Sequence, residues 1–467
     1  MKHGKLTLIG LALVILTLKI ILWFHVSEID LALFQNPDSQ SYLDVAETLK
    51  SDGQFSLSPD HLHIPNVTRT PGYPVFILLA TLLGSFSSSA VILCQFILQS
   101  LMLILIWKIS VMLFSQKQAF WACFFYVLDL SSHTSSFLLL TEVLFTAFFL
   151  LSLLFALKYL KTQSESRWGA LAFLTLAMAT LVRPISYYLL FVMLAILIWY
   201  ELNLQHSVMA AFRRVVLVCL PCILLLGFWQ IRNYSVSGSC ELSRIVGVNL
   251  LYYRAAGVIA QKESIPFEKA QEKLDMGAGK VEARLKPNLN LEKGYKKKAM
   301  SILIAEPLFV MKDMLKGAVR LHIGLGEGEL LRLLGQSNTD SFLSRISKHG
   351  FKKSLSEWWQ TRPLFLLMTL AFLLLLYSTY ALALLGTFAL LRSPDLKTCL
   401  IALLLPLCYF VLLSSGPESY ARFRVPYMPI VMILAGIGMV WLKGQSHLMK
   451  KTSGNNPSYS SHSCTKT

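Results

Sequence analysis

Most of the apolar runs in this chain are long enough to form membrane-spanning helices. A helix needs about 20 mostly apolar residues to cross the hydrocarbon layer of a bilayer, which is about 30 Å thick. Such runs occur at Leu6–Phe24, Ala90–Phe114, Phe137–Leu157, Val215–Ile231, Pro363–Leu391, Leu400–Leu413 and Val425–Leu442, with dense stretches at Ala119–Ser136 and Trp168–Tyr200. Only 15% of the residues are charged, whereas soluble domains carry about 25%. The sequence therefore predicts an all-α polytopic membrane protein.

The number of spans depends on three of these segments. Arg183-Pro184 interrupts the stretch Trp168–Tyr200, which we expect to form two short helices meeting there. The first run is long for a secretion signal and has no convincing cleavage site after it, so we expect an uncleaved first span. Gly72–Gly84 is apolar but too short to cross, and we expect a re-entrant or surface-lying helix. The sum is about ten transmembrane helices.

The distribution of positive charge gives the orientation. With Gly72–Gly84 not crossing, Lys and Arg concentrate in the connections and termini on one side, which the positive-inside rule assigns to the cytoplasm. Both termini are then cytoplasmic. The formal net charge of +17 follows from this topology, so we expect the lipid bilayer and no nucleic acid as a partner.

This topology divides the chain into four parts. Residues 1–231 form a transmembrane catalytic module whose first outside loop is 27–89, with juxtamembrane helices. Residues 232–362 form a second outside region of helices on the membrane surface, among them amphipathic segments Pro266–Leu285 and Glu292–Ile304 and the more apolar Glu306–Gly324. Residues 363–442 hold the C-terminal transmembrane helices, and 443–467 form a disordered cytoplasmic tail.

Asp38 lies in the first outside loop, directly after a turn marked by Asn36-Pro37. The apolar positions that follow have helical spacing over Ser39–Lys50, and Asp38 is placed to cap that helix. A plain helix cap and a functional carboxylate are equally good interpretations of this pattern.

Arg69 precedes the short helix in the segment Thr68-Arg-Thr-Pro-Gly-Tyr-Pro74. A helix N-terminus offers free N–H groups to an anion, and a guanidinium suits phosphate oxygens. The alternative is an anchoring residue at the membrane surface.

Further charged residues are expected at the outside ends of spans. An acid there is costly unless it faces a wet cavity or a partner, and a ring of cations would suit an anionic lipid headgroup. Each alone is more simply a topology or packing feature, although their common side favours a site. These residues are Glu142, Arg183, Arg232, Arg422 and Arg424.

A metal site has weak support in the sequence. His61 and His63 alternate in a loop near Asp60, but two histidines without a firm third ligand do not define a site. We expect no metal and no cofactor, with a divalent metal left open as an alternative.

Several short motifs together resemble the GT-C-type membrane glycosyltransferases, in particular the bacterial branch related to protein mannosyltransferases and the lipid A aminoarabinose transferase. The order of the motifs carries the resemblance over nearly the whole chain. The motifs are Pro37-Asp-Ser-Gln-Ser-Tyr-Leu-Asp-Val-Ala46, Arg69-Thr-Pro-Gly-Tyr-Pro74, Thr141-Glu-Val-Leu-Phe, Leu181-Val-Arg-Pro184, Ile231-Arg-Asn-Tyr234 and Arg422-Phe-Arg-Val-Pro426.

The resemblance implies a fold, a reaction and residue roles. A bundle of spans would carry a catalytic first outside loop, and a sugar would pass from a polyprenyl-phosphate carrier to a lipid, glycan or protein acceptor at the outer face of the cytoplasmic membrane. Asp38 would be the base, in an inverting displacement. Some members have two adjacent acids here, whereas Ser39 follows Asp38. The expected substrate-binding residues are Tyr42, Arg69, Tyr73, Glu142, Arg183, Arg232, Arg422 and Arg424.

Two other functions remain open from the sequence. A transporter or flippase of a polyprenyl-linked or anionic lipid would favour broken helices, of which Arg183-Pro184 is the best example. A non-catalytic scaffold could use residues 232–362 to bind acidic partners. The absence of an internal repeat and the charged motifs on one face favour the glycosyltransferase.

Overall fold

The fold is built from apolar helices. The computed structural model describes residues 2–62, 64–81, 87–162, 165–204, 207–275, 289–336, 340–392 and 397–453. Within these ranges the chain has no β-strand, only an isolated bridge between Ser56 and Pro65. The expected all-α polytopic membrane protein is confirmed.

Among the described residues, six helical segments have the length and composition needed to cross a membrane: Leu6–Ile29, Ser88–Leu113, Glu142–Lys161, Pro184–Leu204, Val208–Ser237 and Pro363–Leu391. Shorter apolar helical segments are Gly72–Thr81, Ser166–Val182, Leu400–Ser414 and Met428–Gly444. The number of about ten spans stays a prediction.

The predicted span Ala119–Ser136 is wrong as a single helix. The chain forms Gln116–Val127 and then Leu130–Ser135, with a break at Leu128-Asp129. The Asp129 carboxylate accepts a hydrogen bond from the Ser132 N–H at 3.0 Å and so begins a new helix. The apolar composition concealed this capping residue.

Other predicted boundaries shift less. The break at Arg183-Pro184 is confirmed, since Ser166–Val182 ends there and a short 3₁₀ turn, Pro184–Ser186, leads into Tyr187–Leu204. The last helix, Met428–Ser453, runs past residue 443, where the predicted tail begins. Residues 454–467 lie outside the described residues, and the disordered tail stays a prediction.

Most of the remaining helices lie in the two regions that the sequence predicts to be outside, residues 27–89 and 232–362. In the first outside loop they are Leu31–Phe34, Ser39–Ser51 and Pro59–His61. In the second outside region they are Ile245–Asn249, Leu250–Ala255, Ala256–Glu263, Phe267–Leu274, Leu289–Ala305, Pro307–Ile323, Glu327–Leu333, Phe342–His349 and Phe351–Thr361. Of the predicted amphipathic segment Pro266–Leu285, residues 276–285 lie outside the described residues, and its described helix ends at Leu274.

Small residues set how closely two C-terminal helices pack. Pro363–Leu391 lies against Met428–Ser453, with Gly386 facing Gly438. A Cβ on Gly386 would meet the Leu434 carbonyl oxygen and come within 2.9 Å of the Gly438 nitrogen. Backbones approach this closely in membranes only where the side chains are small.

Candidate functional site

Asp38 occupies the N-cap position of the helix Ser39–Ser51 but does not cap it. Its backbone is helical, with φ −77° and ψ −22°, and its side chain accepts no hydrogen bond from the helix. The expected capping role is therefore wrong. Ser39 holds the turn instead: its Oγ accepts from the Asn36 N–H at 2.9 Å and donates to the Leu139 carbonyl at 2.9 Å. The Asp38 side chain is left available for other partners.

Arg69 is the closest of those partners. Its Nη2 donates to Asp38 Oδ1 at 2.9 Å, its Nε to Ser41 Oγ at 2.8 Å and its Nη1 to the Tyr42 hydroxyl at 3.2 Å. The guanidinium also lies 4.5 Å from the centre of the Tyr42 ring. The Arg69 side chain is 13% exposed and that of Asp38 is 51% exposed. A mostly buried arginine thus holds an accessible carboxylate.

The segment around Arg69 is fixed by its own short side chains. Asn66 Oδ1 accepts from the backbone N–H groups of Thr68 and Arg69, both at 2.9 Å. Three residues on, a Cβ on Gly72 would lie 2.8 Å from the Leu181 carbonyl carbon and oxygen. Only glycine allows this approach, which brings Arg69 next to the end of the helix that carries Arg183.

Glu142 and Arg183 form a second ion pair. Arg183 Nη1 lies 2.9 Å from Glu142 Oε1, and the Glu142 side chain is almost fully buried. Glu142 Oε2 is also buried and accepts no hydrogen bond from the described residues. Burying a carboxylate is costly without opposite charge beside it, so Glu142 depends on its arginines.

Arg422 joins the two pairs. Its Nη2 lies 3.7 Å from Asp38 Oδ2, and its Nε lies 3.9 Å from Glu142 Oε1. Phe423 supports this arrangement, because the guanidinium carbons of Arg183 and Arg422 lie 5.0 Å and 5.2 Å from the centre of its ring. Two acids and three arginines, each from a different stretch of the chain, meet here. We call Asp38, Arg69, Glu142, Arg183 and Arg422 the carboxylate–arginine cluster.

The charges in this cluster decide the protonation of Asp38. Burial acts to raise the pKa of the Asp38 carboxyl, but the charges of Arg69, Arg422 and Arg183 and the Arg69 hydrogen bond outweigh it and lower that pKa below its ordinary value. Asp38 is therefore ionised at neutral pH. Its Oδ2 accepts no hydrogen bond from the described residues, since Arg422 stays at 3.7 Å.

Two expected site residues lie in different surroundings. Arg232 donates to the carbonyls of Asn66 and Phe55, at 2.7 Å and 2.9 Å, and so ties the first outside loop to the end of a span. Arg424 is completely buried and donates to the Leu321 and Gly324 carbonyls and to Ser131 Oγ. The structure brings neither into the carboxylate–arginine cluster, and their contacts are those of structural residues.

Tyr73 is also completely buried. Its hydroxyl donates to Gln95 Oε1 at 3.0 Å, and its ring packs edge-to-face against Tyr42 at 5.2 Å. Tyr73 therefore supports Tyr42 from behind and is not exposed to a ligand. Tyr42, half-buried and bonded to Arg69, keeps its place at the edge of the site.

The sequence interpretation missed four residues that support the site. Phe423 and Ser41 lie inside two of the motifs that carry the family resemblance, so these motifs could have identified them as site residues. Ser243 donates to the Thr68 carbonyl, and the Arg244 N–H donates to the Val67 carbonyl at 3.0 Å. Nothing in the pattern around Ser243 indicated that the second outside region would hold the Arg69 segment.

A metal site finds no support in the described part of the chain, where no three His, Cys, Asp or Glu side chains converge. His61 Nδ1 lies 3.0 Å from Ser58 Oγ, and His63 lies outside the described residues. Metal use stays an open prediction.

A comparison with protein families agrees with the expected resemblance. Residues 68–229 match the model of the dolichyl-phosphate-mannose-protein mannosyltransferase family. The match begins at the Arg69 segment and includes Glu142 and Arg183. The resemblance to GT-C-type membrane glycosyltransferases is confirmed, and with it the expected class of enzyme. A search of curated proteins finds no match.

Solved membrane proteins align with most of the chain at low similarity. ArnT from Cupriavidus metallidurans bound to undecaprenyl phosphate is 12% identical, with a TM-score of 0.41 over 95% of this chain and 80% of that one. The apo oligosaccharyltransferase from Archaeoglobus fulgidus is 13% identical, with a TM-score of 0.48 over 96% of this chain and 52% of that one. At these values no residue role is transferred from either.

Proposed function

We propose that this chain, whose residues 68–229 match the dolichyl-phosphate-mannose-protein mannosyltransferase family, moves a sugar from a polyprenyl-phosphate carrier to an acceptor at the outer face of the membrane. Asp38 acts as the base. The observation that carries the proposal is the exposed Asp38 carboxylate, held on one oxygen by Arg69 at 2.9 Å and facing Arg422 with the other at 3.7 Å.

Asp38 takes the proton of the acceptor. Arg69 orients the carboxylate through Oδ1, and Oδ2 is open to an acceptor hydroxyl or amine. Its lowered pKa keeps Asp38 ionised, although it also makes the carboxylate a weaker base. A base positioned in this way contributes about 10²–10⁴-fold to a rate. The weaker basicity is acceptable because the phosphate leaving group departs without a general acid.

Arg183 and Arg422 receive the phosphate of the donor. As the acceptor oxygen or nitrogen attacks the anomeric carbon, the bond to the phosphate oxygen breaks and negative charge grows on that oxygen. Two guanidiniums aimed at it stabilise this charge. Glu142 keeps them in place, since it lies 2.9 Å from Arg183 and 3.9 Å from Arg422. One in-line displacement inverts the anomeric centre.

The side of the membrane follows from the charge distribution in the sequence. Asp38, Arg69, Glu142, Arg183 and Arg422 all lie at the ends of helices that the positive-inside rule places away from the cytoplasm. With both termini cytoplasmic, the cluster opens to the outer face. A polyprenyl-phosphate donor agrees with the name of the matching family, in which dolichyl phosphate carries the mannose and protein is the acceptor.

The test is a transfer assay on the purified full chain in nanodiscs. Undecaprenyl phosphate carrying a radiolabelled hexose is supplied with a membrane lipid extract as the acceptor source. The proposal predicts a labelled product that resists mild acid, together with free undecaprenyl phosphate. Movement of intact donor across a proteoliposome membrane without a new glycosidic bond would instead support the transporter.

A further inference from the structure

One stretch of helix in the second outside region contacts two of the segments that carry arginines of the carboxylate–arginine cluster. The helix Ile245–Asn249 continues directly into Leu250–Ala255, which is a π-helix. Turns of π-helix occur frequently at functional sites. We call residues 243–254 the brace, and residues 413–424 the Arg422 loop.

The first end of the brace holds the segment that carries Arg69. Ser243 and the Arg244 N–H donate to the two backbone carbonyls just before that residue. Arg244 is fixed in turn by Glu292, whose Oε2 lies 2.8 Å from the Arg244 Nε, and both side chains are almost fully buried. This end of the brace therefore sets where the Arg69 segment lies.

At the other end of the brace, Arg254 reaches into the Arg422 loop. Its Nε lies 3.0 Å from Glu418 Oε1, its Nη2 donates to the Leu413 carbonyl at 2.7 Å, and its Nη1 donates to the Ser415 carbonyl. The side chains of Arg254 and Glu418 are both mostly buried. A guanidinium presents its donors in a rigid fork, and here each of its nitrogens contacts the same loop.

The Arg422 loop has no room to slide over Arg254. A Cβ on Gly416 would lie 2.6 Å from Arg254 Cζ, so the guanidinium lies directly against the loop backbone. Ser419 closes the loop, because its Oγ accepts from the Gly416 N–H at 2.7 Å and lies 2.8 Å from the Ser414 carbonyl oxygen. Arg422 follows three residues later, so a shift of the backbone at Gly416 is passed on to it.

Arg422 is held less tightly by the acids than the other two arginines of the cluster. It lies 3.7 Å from Asp38 and 3.9 Å from Glu142. Arg69 and Arg183 each lie 2.9 Å from one of the same acids. Contacts as long as those of Arg422 are ion pairs without hydrogen bonds. The backbone of the loop, more than the acids, therefore sets where Arg422 lies.

We propose that Arg254 is a positioning residue of the transfer reaction, because it holds the Arg422 loop so that Arg422 stays beside Asp38 and Glu142. This inference rests on the proposed function, since Arg254 acts on that site through Arg422. Ser243 has the equivalent part for the Arg69 segment, so one brace sets the spacing of both arginines.

The first measurement is hydrogen exchange by mass spectrometry on the purified full chain in nanodiscs. Arg254→Gln removes the charge and most of the donors, and Glu418→Gln is a milder change at the same contact. Arg345→Gln is the matched control, since Arg345 pairs with Glu357 between two other helices of the second outside region.

The expected result is faster exchange of the backbone amides in the Arg422 loop. Local opening exposes the hydrogen bonds of the loop to solvent, and we expect a rise of about tenfold in Arg254→Gln, as for one lost bond to a charged group. Glu418→Gln should give a smaller rise at the same amides. Arg345→Gln should leave them at the wild-type rate.

The second measurement is a double-mutant cycle of the transfer rate. Arg254→Gln should lower kcat by about 10²-fold, the effect of a displacement of about 1 Å. It should add no loss to Arg422→Gln, because both changes take the same guanidinium out of the site. Arg254→Lys should recover part of the rate, since it keeps a charge beside Glu418.

Two results would overturn the proposal. One is unchanged exchange in the Arg422 loop of Arg254→Gln, whether or not the protein transfers sugar. The other is a double variant in which the losses of Arg254→Gln and Arg422→Gln multiply, since Arg254 would then act apart from Arg422. If the wild type forms no product, the proposed function fails, and the exchange result still decides whether Arg254 holds the loop.

Discussion

Arg69 Nη2 and Asp38 Oδ1 meet at 2.9 Å, although 31 residues of chain separate them. The pair joins the start of one short helix to the segment just before another. Because Arg69 is the more buried partner, it fixes the orientation of an acid that remains open to solvent. This one contact therefore both joins two segments of the chain and orients the Asp38 carboxylate.

The pH dependence of transfer should depend on this contact. Asp38 has a lowered pKa in the folded protein, so the carboxylate, our proposed base, stays charged at pH values below its ordinary titration range. Arg69→Gln removes the nearest positive charge and raises that pKa. The acid limb of kcat/KM should therefore move to higher pH in this variant.

The measurement is a pH profile of transfer for wild type and Arg69→Gln. Arg167→Gln is a suitable control, since Arg167 pairs with Glu165 far along the chain and is mostly exposed. An acid limb that stays in place when Arg69 is replaced would contradict the role assigned to the pair.

Glu142 should act through its arginines and not as a base. Glu142→Gln keeps the shape but removes the charge that holds Arg183 and Arg422. We expect a fall in kcat of about 10²-fold or more, as for loss of electrostatic preorganisation. The pH profile of this variant should keep its acid limb, since Asp38 remains. A pH-independent rate in Glu142→Gln would show that Glu142 is the titrating base.

Two arginines separated by one residue should give opposite phenotypes. Arg422→Gln should lower transfer by about 10²–10³-fold with little change in thermal stability, because Arg422 faces the two acids of the site. Arg424→Gln should lower the free energy of unfolding by about 1–3 kcal/mol, because it leaves the buried Leu321 and Gly324 carbonyls unpaired. Thermal unfolding and transfer are measured on both variants. If the two variants showed the same changes in rate and stability, the assignment of Arg422 to the site and of Arg424 to the fold would be wrong.

Helix packing gives a prediction independent of the chemistry. Gly386→Ala places a methyl group against the Leu434 carbonyl of the facing helix. Overpacking of this kind costs about 1–3 kcal/mol, so the detergent-solubilised variant should unfold at a lower temperature. Gly227→Ala is the matched control in another span, where a Cβ meets nothing within 4 Å. Equal unfolding temperatures would show that the two helices can separate.

Much of the fold followed from the sequence, because apolar runs and the break at Arg183-Pro184 are local signals. The failure at Asp129 has a physical cause: one capping carboxylate ends a helix without changing the mean hydropathy of the run. For Asp38 the predicted N-cap position was correct but the capping hydrogen bond was not. Its side chain makes a stronger, charge-assisted bond to Arg69 instead.

The candidate site was only partly predictable. Asp38, Arg69, Glu142, Arg183 and Arg422 share one end of their helices, and that common side pointed to a site. Arg232 and Arg424 share it too, yet they bind backbone carbonyls. Which arginine meets an acid depends on the direction of each side chain after packing, which spacing along the chain does not specify.

The most direct test of the account is the transfer rate of Asp38→Asn in nanodiscs, measured with labelled undecaprenyl-phosphate sugar and compared with Asp44→Asn, a change of the same kind on the same helix. The account predicts that Asp38→Asn retains the wild-type unfolding temperature and loses about 10²–10⁴-fold in kcat, while Asp44→Asn keeps its rate. A correctly folded Asp38→Asn protein that transfers sugar at the wild-type rate would contradict it.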